Sequence, residues 1–299
     1  MSQTVTVDSM HDSATGTWQY IVADPHTLDA VIIDPVLDYD ISTHTISTHT
    51  ADGLKSLIED KGYKIIRILE THAHADHLTA ASYLQTVLER DHGSKPPICI
   101  GKRIREVQRV FGQRYGVYDS ELNAAFDQLM DDDEEFCIGQ LKAKTIHLPG
   151  HTPDHVGYLV EDNIFCGDSV FNADLGTARC DFPGGSAKDL YHSTRKLLSL
   201  PDNYKIWTGH DYPSNGRMCP VPYMSVADQK QRNRYLSDIV SEQDFLHMRT
   251  QRDAQLKEPK MLHPSLQINI RGGRLPAPMP SGERTLTFPI RLETEHWGV

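Results

Sequence analysis

The segment "ETHAHADHL" (residues 70–78) places three histidines and an aspartate close together, as His72, His74, Asp76 and His77. It directly follows "KIIRIL", a short apolar run that is typical of a buried strand. Residues two apart in extended backbone face the same side, so His72 and His74 are expected to point toward one spot beyond the strand. Asp76 and His77 stand where a helical pattern begins and are expected to point toward a second spot. Imidazoles and carboxylates bind zinc, iron and manganese, so the segment predicts a metal site.

Three further candidate ligands stand at the ends of predicted strands. His151 follows "KTIHLPG", Asp168 follows "NIFCG" and His210 follows "KIWTG". Each comes directly after a glycine, which lets the backbone approach a crowded site. Seven ligands suit two metal ions, with Asp168 as the bridging group. The complete predicted set is His72, His74, Asp76, His77, His151, Asp168 and His210.

Strand-like and helical runs alternate along the rest of the chain. "TWQYIVAD" and "DAVIIDP" are typical strands, and residues 156–168 predict a hairpin. Helical spacing is found at residues 47–61 and 188–198. This order predicts an α/β class with two sheets or one large mixed sheet.

Composition excludes several classes of protein. The 299 residues carry 41 acidic and 30 basic side chains, a net charge of −11, which disfavours nucleic acid or an anionic membrane as the main partner. No stretch approaches the length of a spanning apolar helix, and the N-terminus lacks the apolar core of a signal peptide. The five cysteines are scattered without a CxxC pair, so we expect a reducing, cytoplasmic location.

The ordered motifs "THAHADH", "LPGHTPDH", "FCGD" and "GHDY" resemble those of the metallo-β-lactamase superfamily. The resemblance covers about residues 15–215 and implies an αββα sandwich, an α/β (α+β) fold with metals at one edge between two sheets. It implies a first metal held by His72, His74 and His151. It implies a second metal held by Asp76, His77 and His210, with Asp168 bridging the two.

A dinuclear site of this kind implies hydrolysis of an amide, lactam, lactone or thioester. Two metal ions about 3.5 to 4 Å apart generate hydroxide near neutral pH and polarise the bond under attack. Asp76 is then the catalytic residue that directs the proton. We therefore expect two Zn²⁺ per chain and a small-molecule substrate, such as a lactam-type xenobiotic that the enzyme detoxifies.

A second branch of the superfamily offers an alternative. The segment "GTARCDFPGGSAKDLYHS" resembles the persulfide dioxygenases, which are relatives of glyoxalase II. That branch implies one Fe²⁺ held by His72, His151 and Asp168, with open positions for oxygen and a thiol substrate. Arg179 and Tyr191 lie where that branch binds its substrate or supports the site.

The loop "HTPDHVGY" favours the hydrolase over the dioxygenase. In the dioxygenase pattern the position of His155 is usually a cysteine, whereas "HTPDH" is closer to the hydrolase sequence "HTPGH". A nuclease is disfavoured by the acidic net charge. A glyoxalase II is disfavoured by the short, Pro-rich tail after Phe245, and a non-catalytic relative would have lost ligands.

Two expectations concern organisation. We expect residues 1–245 to form the metallo-β-lactamase-fold catalytic domain and residues 246–299 to form a C-terminal extension packed on the core. The resemblance also implies a homodimer, and the acidic net charge leads us to expect no nucleic-acid or membrane partner.

Overall fold

The computed structural model of the chain describes residues 4–213 and 217–290. The first elements are β1 (Thr6–Asp12), β2 (Thr17–Ala23), β3 (Asp29–Ile33), β4 (Val36–Asp40), β5 (Thr45–Ser47), α1 (His49–Lys61), β6 (Lys64–Leu69), β7 (Leu78–Thr79), α2 (Ala81–His92), β8 (Ile98–Gly101), α3 (Ile104–Tyr115), α4 (Asp119–Asn123) and β9 (Gln128–Met130). They are followed by β10 (Glu135–Ile138), β11 (Leu141–His147), β12 (Val156–Val160), β13 (Asn163–Phe165), α5 (Ala187–Leu198), β14 (Lys205–Trp207), β15 (Tyr223–Ser225), α6 (Val226–Arg232), α7 (Glu242–Asp253) and α8 (Leu262–Asn269).

These strands form two six-stranded sheets. The first sheet has the order β1-β2-β3-β6-β8-β9, with β3, β6, β8 and β9 parallel to one another. The second has the order β10-β11-β12-β13-β14-β15, in which β13 and β14 are parallel and the other pairs antiparallel. Strands β5, β4 and β7 form a small third sheet.

Successive side chains of the central strands pack into two different hydrophobic cores. In β2, Ile21 and Ala23 pack with the helical layer that contains α1, α2 and α3, whereas Tyr20 and Val22 pack between the two sheets. This is the period of two expected of a strand, and both faces are apolar because both are covered.

The second sheet is covered on its outer side as well. Ile146 and Ile164 pack there with Leu190 of α5 and Phe245 of α7. The layers are therefore helices, sheet, sheet and helices, so the predicted αββα sandwich is confirmed.

The C-terminal residues pack on the helical layer of the first sheet. Leu262, Leu266 and Ile268 belong to the same buried cluster as Ile21, and the predicted boundary at residue 245 falls inside α7. Every helix within residues 4–213 and 217–290 is too short or too polar to span a bilayer.

Candidate metal centre

The sheet topology brings the predicted ligands to one edge of the sandwich. In the first sheet, the ligand segment begins where β6 ends. In the second sheet, β11, β13 and β14 run in the same direction, because β12 is antiparallel to both of its neighbours and β13 is parallel to β14. Their carboxyl ends therefore lie side by side, and each is followed by one ligand. Those ligands are His151, Asp168 and His210.

A first group of three ligands consists of His72, His151 and Asp168. Asp168 Oδ2 lies 4.0 Å from His72 Nε2 and 3.6 Å from His151 Nε2. These distances are too long for hydrogen bonds. They suit atoms that share an ion, because ligands bound at about 2.0 to 2.2 Å stand roughly 3 to 4 Å apart.

A second group consists of His74, Asp76, His77 and His210, with ligand atoms within 4.8 Å of one another. Here Asp76 contacts its neighbours directly, with Oδ2 at 2.8 Å from His210 Nε2 and Oδ1 at 3.3 Å from His77 Nδ1. Asp168 Oδ1 lies 3.6 Å from His210 Nε2, so this carboxylate faces both groups.

His74 is grouped differently from the arrangement that the family resemblance implies. Its Nε2 lies 3.1 Å from Asp34 Oδ1 and 3.7 Å from Glu70 Oε2, and it joins the second ligand group rather than His72 and His151. Its Nδ1 is buried without a hydrogen-bond partner among the described residues. The first group therefore holds two histidines and one carboxylate.

Unpaired buried atoms indicate that a cation belongs at this edge. Within the described residues, no hydrogen-bond partner is found for His72 Nε2, His77 Nε2 or Asp168 Oδ1, although all three atoms are buried. Burying such atoms without a partner is costly. A shared metal ion would satisfy them, so the donor set fits a metal centre.

The histidines at this edge differ in charge. Burial, followed by the positive charge of His74, holds the pKa of His72 well below its usual value, so this imidazole is neutral and can bind a metal. Burial opposes protonation of His74 and His210 as well. Nearby carboxylates outweigh it, Asp34 raising the pKa of His74 to about 9 and Asp168 and Asp76 raising that of His210 to about 10.

Neighbouring groups orient the first three ligands. Thr71 Oγ1 donates to Asp34 and accepts from His72 Nδ1 at 3.0 Å, which leaves Nε2 free to bind a metal. His151 Nδ1 donates to the backbone oxygen of Arg179 at 2.7 Å, which leaves Nε2 of His151 free to bind a metal.

Asp168 is held by His155, the loop residue that favours the hydrolase branch in the sequence. The backbone N–H of Asp168 donates to Nε2 of the fully buried His155 at 3.0 Å, and the His155 ring stacks on His72 with centroids 4.7 Å apart. Burial holds the pKa of His155 well below its usual value, so it is a neutral acceptor.

The glycines before the ligands are required by close packing. A Cβ at Gly209 would lie 2.4 Å from Asp168 Oδ1, and one at Gly150, where φ is +140°, would lie 2.3 Å from the backbone of Leu190. Any side chain at these positions would displace the adjacent ligand.

A cavity of about 560 Å³ opens onto both ligand groups and is lined by Asp76, His151, Asp168 and His210. Its walls combine apolar side chains with four arginines. These are Phe171, Leu175, Phe182, Leu256 and Leu262, and Arg114, Arg179, Arg249 and Arg252.

Of the two predicted substrate-binding residues, one lines the cavity and the other does not. Arg179 lines the cavity, but its guanidinium makes a two-pronged ion pair with Asp181. The structure does not bring Tyr191 to the cavity. Its ring packs on Phe245 and its hydroxyl donates to the backbone oxygen of Val240 at 3.4 Å.

Comparison with known proteins assigns the matching region to one family. The model of the metallo-beta-lactamase superfamily matches residues 13–210. A probable metallo-hydrolase of Burkholderia pseudomallei is 40% identical, over 96% of this chain and 99% of that protein. The mitochondrial persulfide dioxygenase ETHE1 of Homo sapiens is 31% identical, over 68% of this chain and 67% of that protein.

Among solved structures, the crystal structure of ETHE1 from Myxococcus xanthus superimposes with a TM-score of 0.69 at 26% identity. The superposition covers 90% of this chain and the whole of that one.

Proposed function

The chain belongs to the metallo-beta-lactamase superfamily of hydrolase-like enzymes, and within that family we propose that it is a mononuclear iron enzyme that oxidises a small thiol persulfide with dioxygen. Glutathione persulfide is the proposed substrate. Sequence reasoning alone favours the hydrolase, and the arrangement of the ligands is the reason for the change of preference.

The observation that carries the proposal is the separate group of His72, His151 and Asp168. Two histidines and one carboxylate with open positions are typical of non-haem Fe²⁺ sites that use oxygen.

The similarity to ETHE1 proteins supports the choice of substrate, as do the charges of the cavity. Arg114 and Arg252 are exposed side chains at its wall, where they can bind carboxylates of a peptide thiol. Phe171 and Phe182 form apolar parts of the wall. When bound, Fe²⁺ supplies the open positions at which dioxygen and a sulfur atom bind.

The proposed reaction is balanced as follows. A persulfide RSSH, dioxygen and water give the thiol RSH, sulfite and two protons. The S–S bond breaks, the terminal sulfur is oxidised to sulfite, and dioxygen is the oxidant.

Metal analysis together with an oxygen electrode tests the proposal. Protein purified without added metal is expected to contain about one iron per chain, and glutathione persulfide should drive oxygen uptake with one sulfite formed per oxygen consumed. The His151→Ala variant is the matched inactive control, because it removes one of the three ligands. Absence of persulfide-dependent oxygen uptake by iron-loaded protein would overturn the proposal.

A dinuclear hydrolase is the second candidate, favoured by a different observation. The second ligand group has four members, and His74 Nδ1 and His77 Nε2 are both unpaired among the described residues. In that case the protein binds two Zn²⁺ and opens a lactam, lactone or thioester, with Asp76 directing the proton. Two metals per chain and hydrolysis of a glutathione thioester without oxygen uptake would establish this candidate in place of the dioxygenase.

A reducing compartment is part of the proposal. All five cysteines are free, and three of them are buried, as is typical of proteins that stay in the cytoplasm.

A further inference from the structure

The family model ends at residue 210, yet the ligand segment of the first sheet is also held by a residue far beyond that point. We propose that Asn269, the last residue of α8, is a positioning residue that fixes the backbone of the ligand segment, which carries His72 as well as His74 and His77, at the metal centre. This inference rests on the metal centre and holds whichever of the two reactions the enzyme catalyses.

The side-chain amide of Asn269 makes three hydrogen bonds to the ligand segment. Nδ2 donates to the backbone oxygen of His74 at 2.8 Å and to that of His77 at 2.8 Å. Oδ1 accepts from the backbone N–H of Thr79 at 2.9 Å. The residue is only 3% exposed, so water cannot replace these bonds.

Only an amide fits this position chemically. Two carbonyl oxygens need two donors, and the N–H of Thr79 needs an acceptor, which is the inventory of an asparagine side chain. An aspartate of nearly the same shape would place an oxygen against the carbonyls of His74 and His77. The segment would have to move, and the histidine side chains would move with it.

Helix α8 is itself anchored, which is what makes Asn269 able to position a neighbour. Leu266 and Ile268 are buried in the core of the helical layer. Just beyond the helix, Gly273 has a φ of +82°, and a Cβ there would lie 3.0 Å from Ser82 N and 3.1 Å from Thr79 O. The chain after α8 therefore lies against the end of the ligand segment with no room for a side chain.

The same helix contains a matched control. Gln267 is also 3% exposed, and its amide makes the same kind of three-bond contact elsewhere. Nε2 donates to the backbone oxygens of His263 and Thr287, and Oε1 accepts from the N–H of Thr287. Gln267→Glu thus makes the same chemical change in the same helix without touching the ligand segment.

The experiment compares the metal affinity of Asn269→Asp and Gln267→Glu in the full chain, by competition of a chromogenic chelator for Zn²⁺ and separately for Co²⁺. Loss of outer hydrogen bonds around metal ligands weakens binding by roughly 10-fold to 100-fold, and we expect that loss for Asn269→Asp alone. The absorption spectrum of bound Co²⁺ should also change only in this variant. Thermal unfolding of the metal-free proteins is measured in parallel, and both variants are expected to be less stable than the parent.

If Asn269→Asp does not fold, Asn269→Ser takes its place in the metal-affinity measurement, because it removes the two N–H donors without adding a charge. A reduced metal affinity with an altered Co²⁺ spectrum in either Asn269 variant supports the inference. It is overturned if the Asn269 variant that folds binds both metals as tightly as Gln267→Glu does, since Asn269 would then contribute only to folding.

Discussion

Among single residues, His72 and His210 are expected to respond differently to replacement by alanine. His72 is neutral, and its Nε2 has no hydrogen-bond partner in the described chain, so a metal ion is its natural partner. His210 belongs to the second ligand group, outside the three ligands that are proposed to hold iron. His72→Ala should therefore lose the iron and the oxygen uptake, whereas His210→Ala should keep about one iron per chain and lose roughly 10-fold to 100-fold in rate.

We would measure the metal content per folded chain in both variants. This number distinguishes the two candidate reactions. If the parent holds two metals and His210→Ala holds one, the second ligand group binds an ion and the mononuclear assignment fails. Circular dichroism of each variant checks that the fold is intact.

Among the elements, α7 holds the loop at residues 177–180 through a buried ion pair. Arg249 donates to Asp253 Oδ1 at 2.7 Å and to the backbone oxygens of Thr177 and Ala178, while Asp253 Oδ2 accepts from the N–H of Cys180. The backbone oxygen of the enclosed residue 179 accepts from the ligand His151. Helix α7 thus supports the metal centre through this loop.

Replacing Arg249 with Met should be strongly destabilising. The side chains of Arg249 and Asp253 are only 2% and 10% exposed, and removing one partner leaves a buried charge unpaired. We expect the free energy of unfolding to fall by roughly 3 to 5 kcal/mol, measured by denaturant titration. Arg252→Met, at an exposed position of the same helix, should cost within about 0.5 kcal/mol. Equal losses in the two variants would contradict the role given to the ion pair.

At the scale of the whole molecule, the metal centre joins the two halves of the sandwich. His72 follows a strand of the first sheet, and His151 and Asp168 follow strands of the second. A metal that binds only the folded chain stabilises it by about 2.7 kcal/mol when free metal is 100 times its dissociation constant. Removing the metal with a chelator should therefore lower the Tm, and adding it back should restore the Tm.

The His72→Ala variant is the control for this measurement, because its Tm should not respond to chelator. An unchanged Tm of the parent after verified loss of the metal would show that the two sheets are held together without it.

The seven candidate ligands and the α/β class were predicted from local patterns in the sequence, whereas the αββα layers were implied by the family resemblance of the motifs. The cluster at residues 72–77 follows an apolar strand, and His151, Asp168 and His210 each follow a strand and come directly after a glycine. The mostly apolar sequence of β2 is typical of a strand that is covered on both faces. Carboxyl ends of parallel strands meet at one edge, so a ligand directly after each strand is the local pattern expected of a shared site once the sheets have formed.

Only the tertiary structure decided how those ligands divide into two groups and which contacts hold them in place. The ion pair of His74 with Asp34 joins residues 40 positions apart, and the bonds of Asn269 to His74 and His77 span 195 and 192 positions. Tyr191 faces the core because Phe245 of α7 packs on it. Such contacts carry no local signature, since a hydrogen bond or ion pair between distant residues exists only once packing has brought their atoms within about 3 Å.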